Sequence, residues 1–123
     1  MEGARHELEG QTILIVEDLY LVGEDLRCIL EHAGAHTIGP VASTSQAIAI
    51  SVGQHLDGAV LDVRLRDETS EIVAKALARQ GVQFIVVTGC VRDAIPEALS
   101  KGIFLPKPVT RGPLLEAALT LFS

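Results

Sequence analysis

The sequence predicts an α/β domain built on a parallel sheet with helices on both faces. Three observations carry that prediction. Short, continuous apolar runs recur at 13–16, 59–61, 84–87 and 103–105, and runs apolar on both sides are what strands need when helices cover the sheet above and below. Segments of helical spacing separate the runs. Each run also stops at or shortly before a reactive side chain: Glu17 and Asp18, Asp62, Thr88, and Lys107.

After the first run, Leu19, Val22, Leu26, Ile29, Leu30 and Ala33 recur at helical spacing and Gly34 supplies a stop, which predicts one amphipathic helix packed on the sheet. His36 to Gly39, closed by Pro40, reads as a weaker strand suited to an edge. Ser43 or Thr44 can cap a second helix running through Ala47, Ile48 and Ile50 to Val52, before Gly53. The third strand ends at Asp62, and a polar stretch at 64–70 follows it. The next helix carries Ile72, Val73, Ala76 and Leu77 and stops at Gly81. A fourth helix is expected through Val91, Ile95, Ala98 and Leu99, with Pro96 restricting where its regular hydrogen bonding begins. The last has Leu114, Leu115, Ala118, Leu119 and Phe122 on one stripe, with Pro113 suited to its first turn. Five strands and five helices therefore alternate. Right-handed crossovers give a doubly wound (βα)5 three-layer sandwich of flavodoxin-like sheet order 2-1-3-4-5. This domain spans residues 12–123, and the charged and polar residues 1–11 are expected as a flexible N-terminal extension.

Composition excludes several classes of function. A chain of 123 residues that is 48% apolar and 21% charged is one ordinary globular domain with its own core. The net charge of −6, with no cluster of Lys and Arg, argues against nucleic acid as a partner. One Tyr, three Phe and no Trp supply no base-stacking platform. No apolar stretch approaches the roughly 20 residues of a membrane span, and the start lacks the apolar centre of a signal peptide, so a cytoplasmic protein is expected. Cys28 and Cys90 fall in different elements and read as two free thiols. His32 and His36 flank Gly34, which breaks the spacing a metal pair would need.

If the strands are parallel, their C-terminal ends share one edge, where open α/β sheets bind their ligands. The predicted order places the first and third strands side by side, so Glu17, Asp18 and Asp62 converge. Three such carboxylates repel, and either raise one another's pKa or hold a cation. Oxygen ligands at a hydrated edge suit Mg²⁺. Two plainer readings stand beside this one. Glu17 and Asp18 can cap the first helix, and Asp62 can form a surface ion pair with Arg64 or Arg66. Neither explains why Thr88 and Lys107 end strands on the same edge. A hydroxyl donor and an ammonium are what the oxygens of a phosphoryl group require, although a lysine taken alone is more often simply solvated.

The segments ILIVED, AVLD, VVTG and LPKP, in that order along nearly the whole chain, resemble the receiver domain of two-component response regulators. Asp62 follows Asp18 by 44 positions, close to that family's interval. The resemblance implies phosphoryl transfer from a phosphohistidine, on a histidine kinase or a histidine phosphotransfer protein, to Asp62. It implies Mg²⁺ held by Glu17, Asp18, Asp62 and the main-chain carbonyl of Arg64. Thr88 matches the family's switch hydroxyl, and Lys107 the lysine that pairs with the phosphoryl group. Pro108 matches the proline after that lysine, often preceded by a cis bond. Phe104 matches the switch aromatic, with a plain core aromatic as the alternative. Arg64 and Cys90, two positions beyond Asp62 and Thr88, match sites whose side chains tune the lifetime of the phosphoryl group; a solvent-facing arginine and a small buried thiol are the ordinary readings.

The intervals from Asp62 to Thr88 and from Thr88 to Lys107 are shorter than is usual in the family, which implies trimmed or reoriented third and fourth helices. That puts in question a homodimer built on the fourth helix and fifth strand. The stretch from Asp62 through Gly89 looks more like receivers of the stand-alone or kinase-attached sort than like those joined to DNA-binding domains. The function implied is a signalling switch that alters affinity for a downstream protein. Its own chemistry is at most self-phosphorylation from a donor and autodephosphorylation. Two other classes stay open: a pseudo-receiver that binds partners without phosphate, and a Mg²⁺-dependent aspartyl phosphatase of the haloacid dehalogenase type, which usually has a second aspartate where this chain has Arg64. No phosphate-binding glycine loop with its lysine occurs.

Overall fold

The structure is a computed structural model that describes residues 7–65, 68–89 and 95–122. In chain order the elements are β1 (Thr12–Val16), α1 (Tyr20–His32), β2 (His36–Val41), α2 (Thr44–Gly53), β3 (Gly58–Asp62), β4 (Arg64–Leu65), β5 (Glu68–Thr69), α3 (Glu71–Arg79), β6 (Phe84–Thr88), a 3-10 turn (Glu97–Lys101), β7 (Ile103–Pro106) and α4 (Arg111–Phe122). Five strands form a parallel sheet in the order β2-β1-β3-β6-β7. Counted on the sheet strands alone this is 2-1-3-4-5, the expected flavodoxin-like topology. No described helix is long and apolar enough to cross a membrane.

Alternation along the strands divides the core into two layers, because successive side chains of a strand leave opposite faces. Ile13, Ile15, Val60, Ile85 and Val87 pack with Leu26 and Leu30 of α1 and with Leu114 and Ala118 of α4. Leu14, Val16, Ala59, Leu61 and Val86 pack with Ala47 of α2, Val73 and Leu77 of α3, and Leu99. The central strands are therefore buried on both faces, which is why they read as unbroken apolar runs.

The edge strand β2 includes Pro40, and its pairing with β1 slips between Leu14 and Val16. Gly39 has φ +98°, and a Cβ there would sit 2.6 Å from the Ile15 carbonyl oxygen, so only glycine fits this bend. The Gly39–Pro40 bond is cis. A Cβ on Gly23 would meet the Pro40 ring at 2.5 Å, so the first turns of α1 lie directly against the edge strand.

Four features differ from the sequence reading. The fourth helix is replaced, within the described residues, by a single 3-10 turn over Glu97–Lys101, with Pro96 as its N-cap residue; Val91 lies outside the described residues. The absent amide of Pro96 and the Ser100 hydroxyl, which donates to the Glu97 carbonyl at 2.6 Å, both disfavour a continued α-helical ladder there. In α3 the buried stripe is Val73, Ala74 and Leu77, and Ile72, expected on that stripe, is exposed. The polar stretch after Asp62 forms an antiparallel hairpin, β4 with β5, anchored by the buried Leu65. Finally, part of the segment expected as a flexible extension is packed: Leu8 is fully buried, its amide donates to the Ala33 carbonyl at 3.0 Å, and its own carbonyl accepts from Gln11. Residues 1–6 of that segment lie outside the described residues.

Candidate functional site

The parallel topology delivers the reactive side chains to one edge. Glu17 directly follows β1, and its amide donates to the Val41 carbonyl at the end of β2, 2.9 Å away. Asp62 ends β3 and Thr88 ends β6. The backbone after Asp62 is tied on both sides, since Val63 donates to the Val87 carbonyl and accepts from the Ser70 amide at 2.9 Å. Lys107 follows β7, and its amide donates to the Thr88 carbonyl at 2.9 Å. The Lys107–Pro108 bond is cis, as the resemblance implied.

One carboxylate oxygen from each of Glu17, Asp18 and Asp62 lies within 4.8 Å of the others. The Lys107 ammonium donates to Asp62 Oδ2 at 2.9 Å and stands 3.3 Å from Glu17 Oε1. Asp62 thus pairs with Lys107 rather than with Arg64, which is exposed on β4; Arg66 lies outside the described residues. The capping reading of Glu17 is half met. Its Oε2 accepts the amide of Leu19 at 3.1 Å, just ahead of α1, but its Oε1 is buried and has no hydrogen-bond partner.

Burial, followed by the hydrogen bond and charge of Asp62, pushes the Glu17 carboxyl up to about 7, against the opposing pull of the Leu19 amide and Lys107. For Lys107, burial pulls the ammonium down, yet the Asp62 and Glu17 carboxylates more than offset it and hold the pKa above the ordinary lysine range. A buried acceptor without a hydrogen bond costs about 1–3 kcal/mol, and the Lys107 ammonium beside Glu17 Oε1 is shared with Asp62. An all-oxygen donor set with a buried oxygen that accepts no hydrogen bond fits a hard divalent cation such as Mg²⁺, which takes few protein ligands and keeps several waters.

Phe104 lies on β7 and is 36% exposed, so it is not a plain core aromatic. Cys90 lies outside the described residues, and Cys28 is a free, exposed thiol on α1. Two features beside the site escaped the sequence reading. Leu19, expected on the packed stripe of the first helix, instead precedes α1 as its N-cap residue and is exposed, as are Tyr20 and Leu21, next to the acidic pair. The buried Thr44 hydroxyl donates to Glu68 Oε2 at 2.7 Å, bridging α2 to β5.

No protein-family model matches the sequence, and no curated protein does either. Solved structures do. SdrG from Sphingomonas melonis Fr1 is 32% identical, with 99% of this chain aligned to 100% of that one and a TM-score of 0.79. A CheY-like response regulator receiver domain from Methylobacillus flagellatus is 26% identical over 86% of this chain and 96% of that one, with a TM-score of 0.73. The receiver domain of a sensor histidine kinase from Pseudomonas aeruginosa PAO1, solved with a magnesium ion coordinated in its active-site cleft, has a TM-score of 0.80 at 24% identity, covering 92% of this chain and 98% of that one. The chain belongs to the response regulator receiver domains of two-component signalling.

Proposed function

We propose that the chain is a phosphoryl-accepting switch, in which Asp62 takes a phosphoryl group from the phosphohistidine of a histidine kinase or a histidine phosphotransfer protein. The observation that carries this reading is the position of Asp62: at a strand end, bonded to Lys107 at 2.9 Å and grouped with Glu17 and Asp18. An Asp62 carboxylate oxygen forms the new O–P bond while the P–N bond to the donor imidazole breaks, and the imidazole leaves with the bonding pair. The transition state of such transfers is loose, so positioning and charge neutralisation supply most of the catalysis.

Glu17, Asp18, Asp62 and the main-chain carbonyl of Arg64 would hold Mg²⁺, which when bound neutralises charge on the phosphoryl oxygens. Lys107 exchanges its contact with Asp62 for one with a phosphoryl oxygen. Thr88, whose strand end is bonded to Lys107 through the backbone, donates its hydroxyl to another. The exposed Phe104, on the neighbouring strand, reports that movement at the surface. Arg64, on the hairpin two positions after the acceptor, tunes the lifetime of the adduct, and Cys90, outside the described residues, matches the second position of that kind. The output is altered affinity for a downstream protein in the cytoplasm, with neither nucleic acid nor membrane as partner.

Incubation with Mg²⁺ and a small acyl phosphate, followed by intact mass measurement, tests the reading. A single acid-stable, base-labile phosphoryl adduct is expected on the wild type and none on Asp62→Asn. A wild type that takes up no phosphate overturns the proposal in favour of a phosphate-independent binding module. Rapid donor turnover without a persistent adduct overturns it in favour of a phosphatase.

A further inference from the structure

We infer that Thr44 and Glu68 are positioning residues that set the geometry of the cation cradle, an inference that rests on the function proposed above. Their hydrogen bond, 2.7 Å long, joins parts of the chain 24 residues apart. On one side, Thr44 is buried at the first residue of α2, three positions after Val41, whose carbonyl holds the Glu17 amide. Ser43 fixes this end of the strut, because its side chain accepts the Gln46 amide and caps the helix. On the other side, Glu68 lies opposite Leu65, and Thr69 opposite Arg64, in the β4–β5 hairpin. That hairpin is the continuation of the backbone that carries Asp62.

The two ends of the strut therefore lead to the two halves of the acidic cluster: Glu17 and Asp18 through β2, and Asp62 with Arg64 through the hairpin. The strands hold Glu17 and Asp62 in register on their own. The hairpin beyond Asp62 has only two residue pairs, too few to fix its own position. Its base is closed by the Ser70 amide on the Val63 carbonyl, and among the described residues the Thr44 hydroxyl and the buried Leu65 attach its outer part to the layer of α2 and α3. Fixing it matters for one ion more than another. Mg²⁺ demands near-ideal octahedral geometry, whereas Ca²⁺ accepts six to eight oxygens in a flexible arrangement. A strut that sets the distance between two ligand-bearing segments therefore bears on Mg²⁺ more than on Ca²⁺.

The test titrates Mg²⁺ and Ca²⁺ into the metal-free full chain by calorimetry, for wild type, Thr44→Val, Glu68→Ala and Glu68→Gln, with Tm recorded for each. Thr44→Val keeps the side-chain shape and removes the hydroxyl; Glu68→Gln keeps an acceptor and removes the charge. Thr44→Val and Glu68→Ala are expected to weaken Mg²⁺ by roughly three- to tenfold, less than the ~10–100-fold typical of groups bonded directly to a ligand, since they act through backbone. Ca²⁺ affinity is expected to change by less than about twofold, and Glu68→Gln to restore Mg²⁺ affinity to within about twofold of wild type. Equal losses for both ions, an unaltered Thr44→Val, or a Glu68→Gln as weak as Glu68→Ala would each overturn the inference while leaving the proposed function intact. A wild type without saturable Mg²⁺ binding would instead overturn the proposed function, and this inference with it.

Discussion

Without a divalent cation the protein should have a stability that falls as the solution becomes less acidic, and Glu17 sets how far. Its folded pKa is about 7 against an ordinary 4.5, so the folded state holds a proton that the unfolded chain has released. The resulting stabilisation is fully present below the unfolded value and is lost as pH rises through the folded one. At about 1.4 kcal/mol per unit the full effect is on the order of 3 kcal/mol, most of it lost between about pH 5 and 8. Other shifted groups leave this window nearly flat. Glu24 and Asp57 are shifted downward, so what they contribute is gained below it, and Lys107 is shifted upward from 10.5, so what it contributes is lost above it. Urea unfolding in EDTA across this range, for wild type and Glu17→Gln, isolates the effect because the two proteins differ only at that carboxyl. The wild type should lose stability relative to the variant as pH rises, and saturating Mg²⁺ should reverse the loss by replacing the proton with a cation. Parallel curves for the two proteins in EDTA would refute the argument from burial.

Three further outcomes follow from the packing and the site. Lys107→Met leaves Asp62 and Glu17 without their cation: metal-free stability should fall by about 1–3 kcal/mol and Mg²⁺ affinity should rise, while adduct formation slows by roughly 100-fold, as read by unfolding, calorimetry and timed mass measurement. Leu8→Ala should cost about 2–5 kcal/mol in a urea titration; a loss below ~0.5 kcal/mol would show that the segment ahead of β1 does not belong to the core. Gly58→Ala places a methyl group 2.4 Å from the Phe122 ring, so that buried ring must shift, and a destabilisation of about 1–3 kcal/mol should appear without change in Mg²⁺ affinity.

The sheet and its reactive edge were legible because burial on two faces leaves runs such as 13–16 and 84–87 without a polar interruption, and a strand then ends where the first charge or hydroxyl appears. What escaped has no periodicity to detect. Leu8 is one apolar side chain in a polar segment, and β4 and β5 are two residues each. Ile72 and Val73 are adjacent apolar residues in a nine-residue helix, so the pattern does not decide which of them faces the sheet. Within the described residues the fourth helix is one 3-10 turn, because Pro96 and Gly102 bracket too few positions for more. The Thr44–Glu68 bond joins two polar side chains across 24 residues, and such a pair looks like two solvated surface residues until the backbone brings them together.

The bend in β2 ties a fluctuation to an affinity. An outermost strand opens more readily than those inside a sheet, and the Glu17 amide is bonded to the last carbonyl of this one. An opening of the Val41 end would therefore free the Glu17 amide to exchange with deuterium and release the backbone that carries its carboxylate. Coupling of this kind is reciprocal. A cation seated among Glu17, Asp18 and Asp62 would slow exchange at Glu17 and along β2, and a protein that covered the outer edge of β2 would tighten the grip on the cation without touching it.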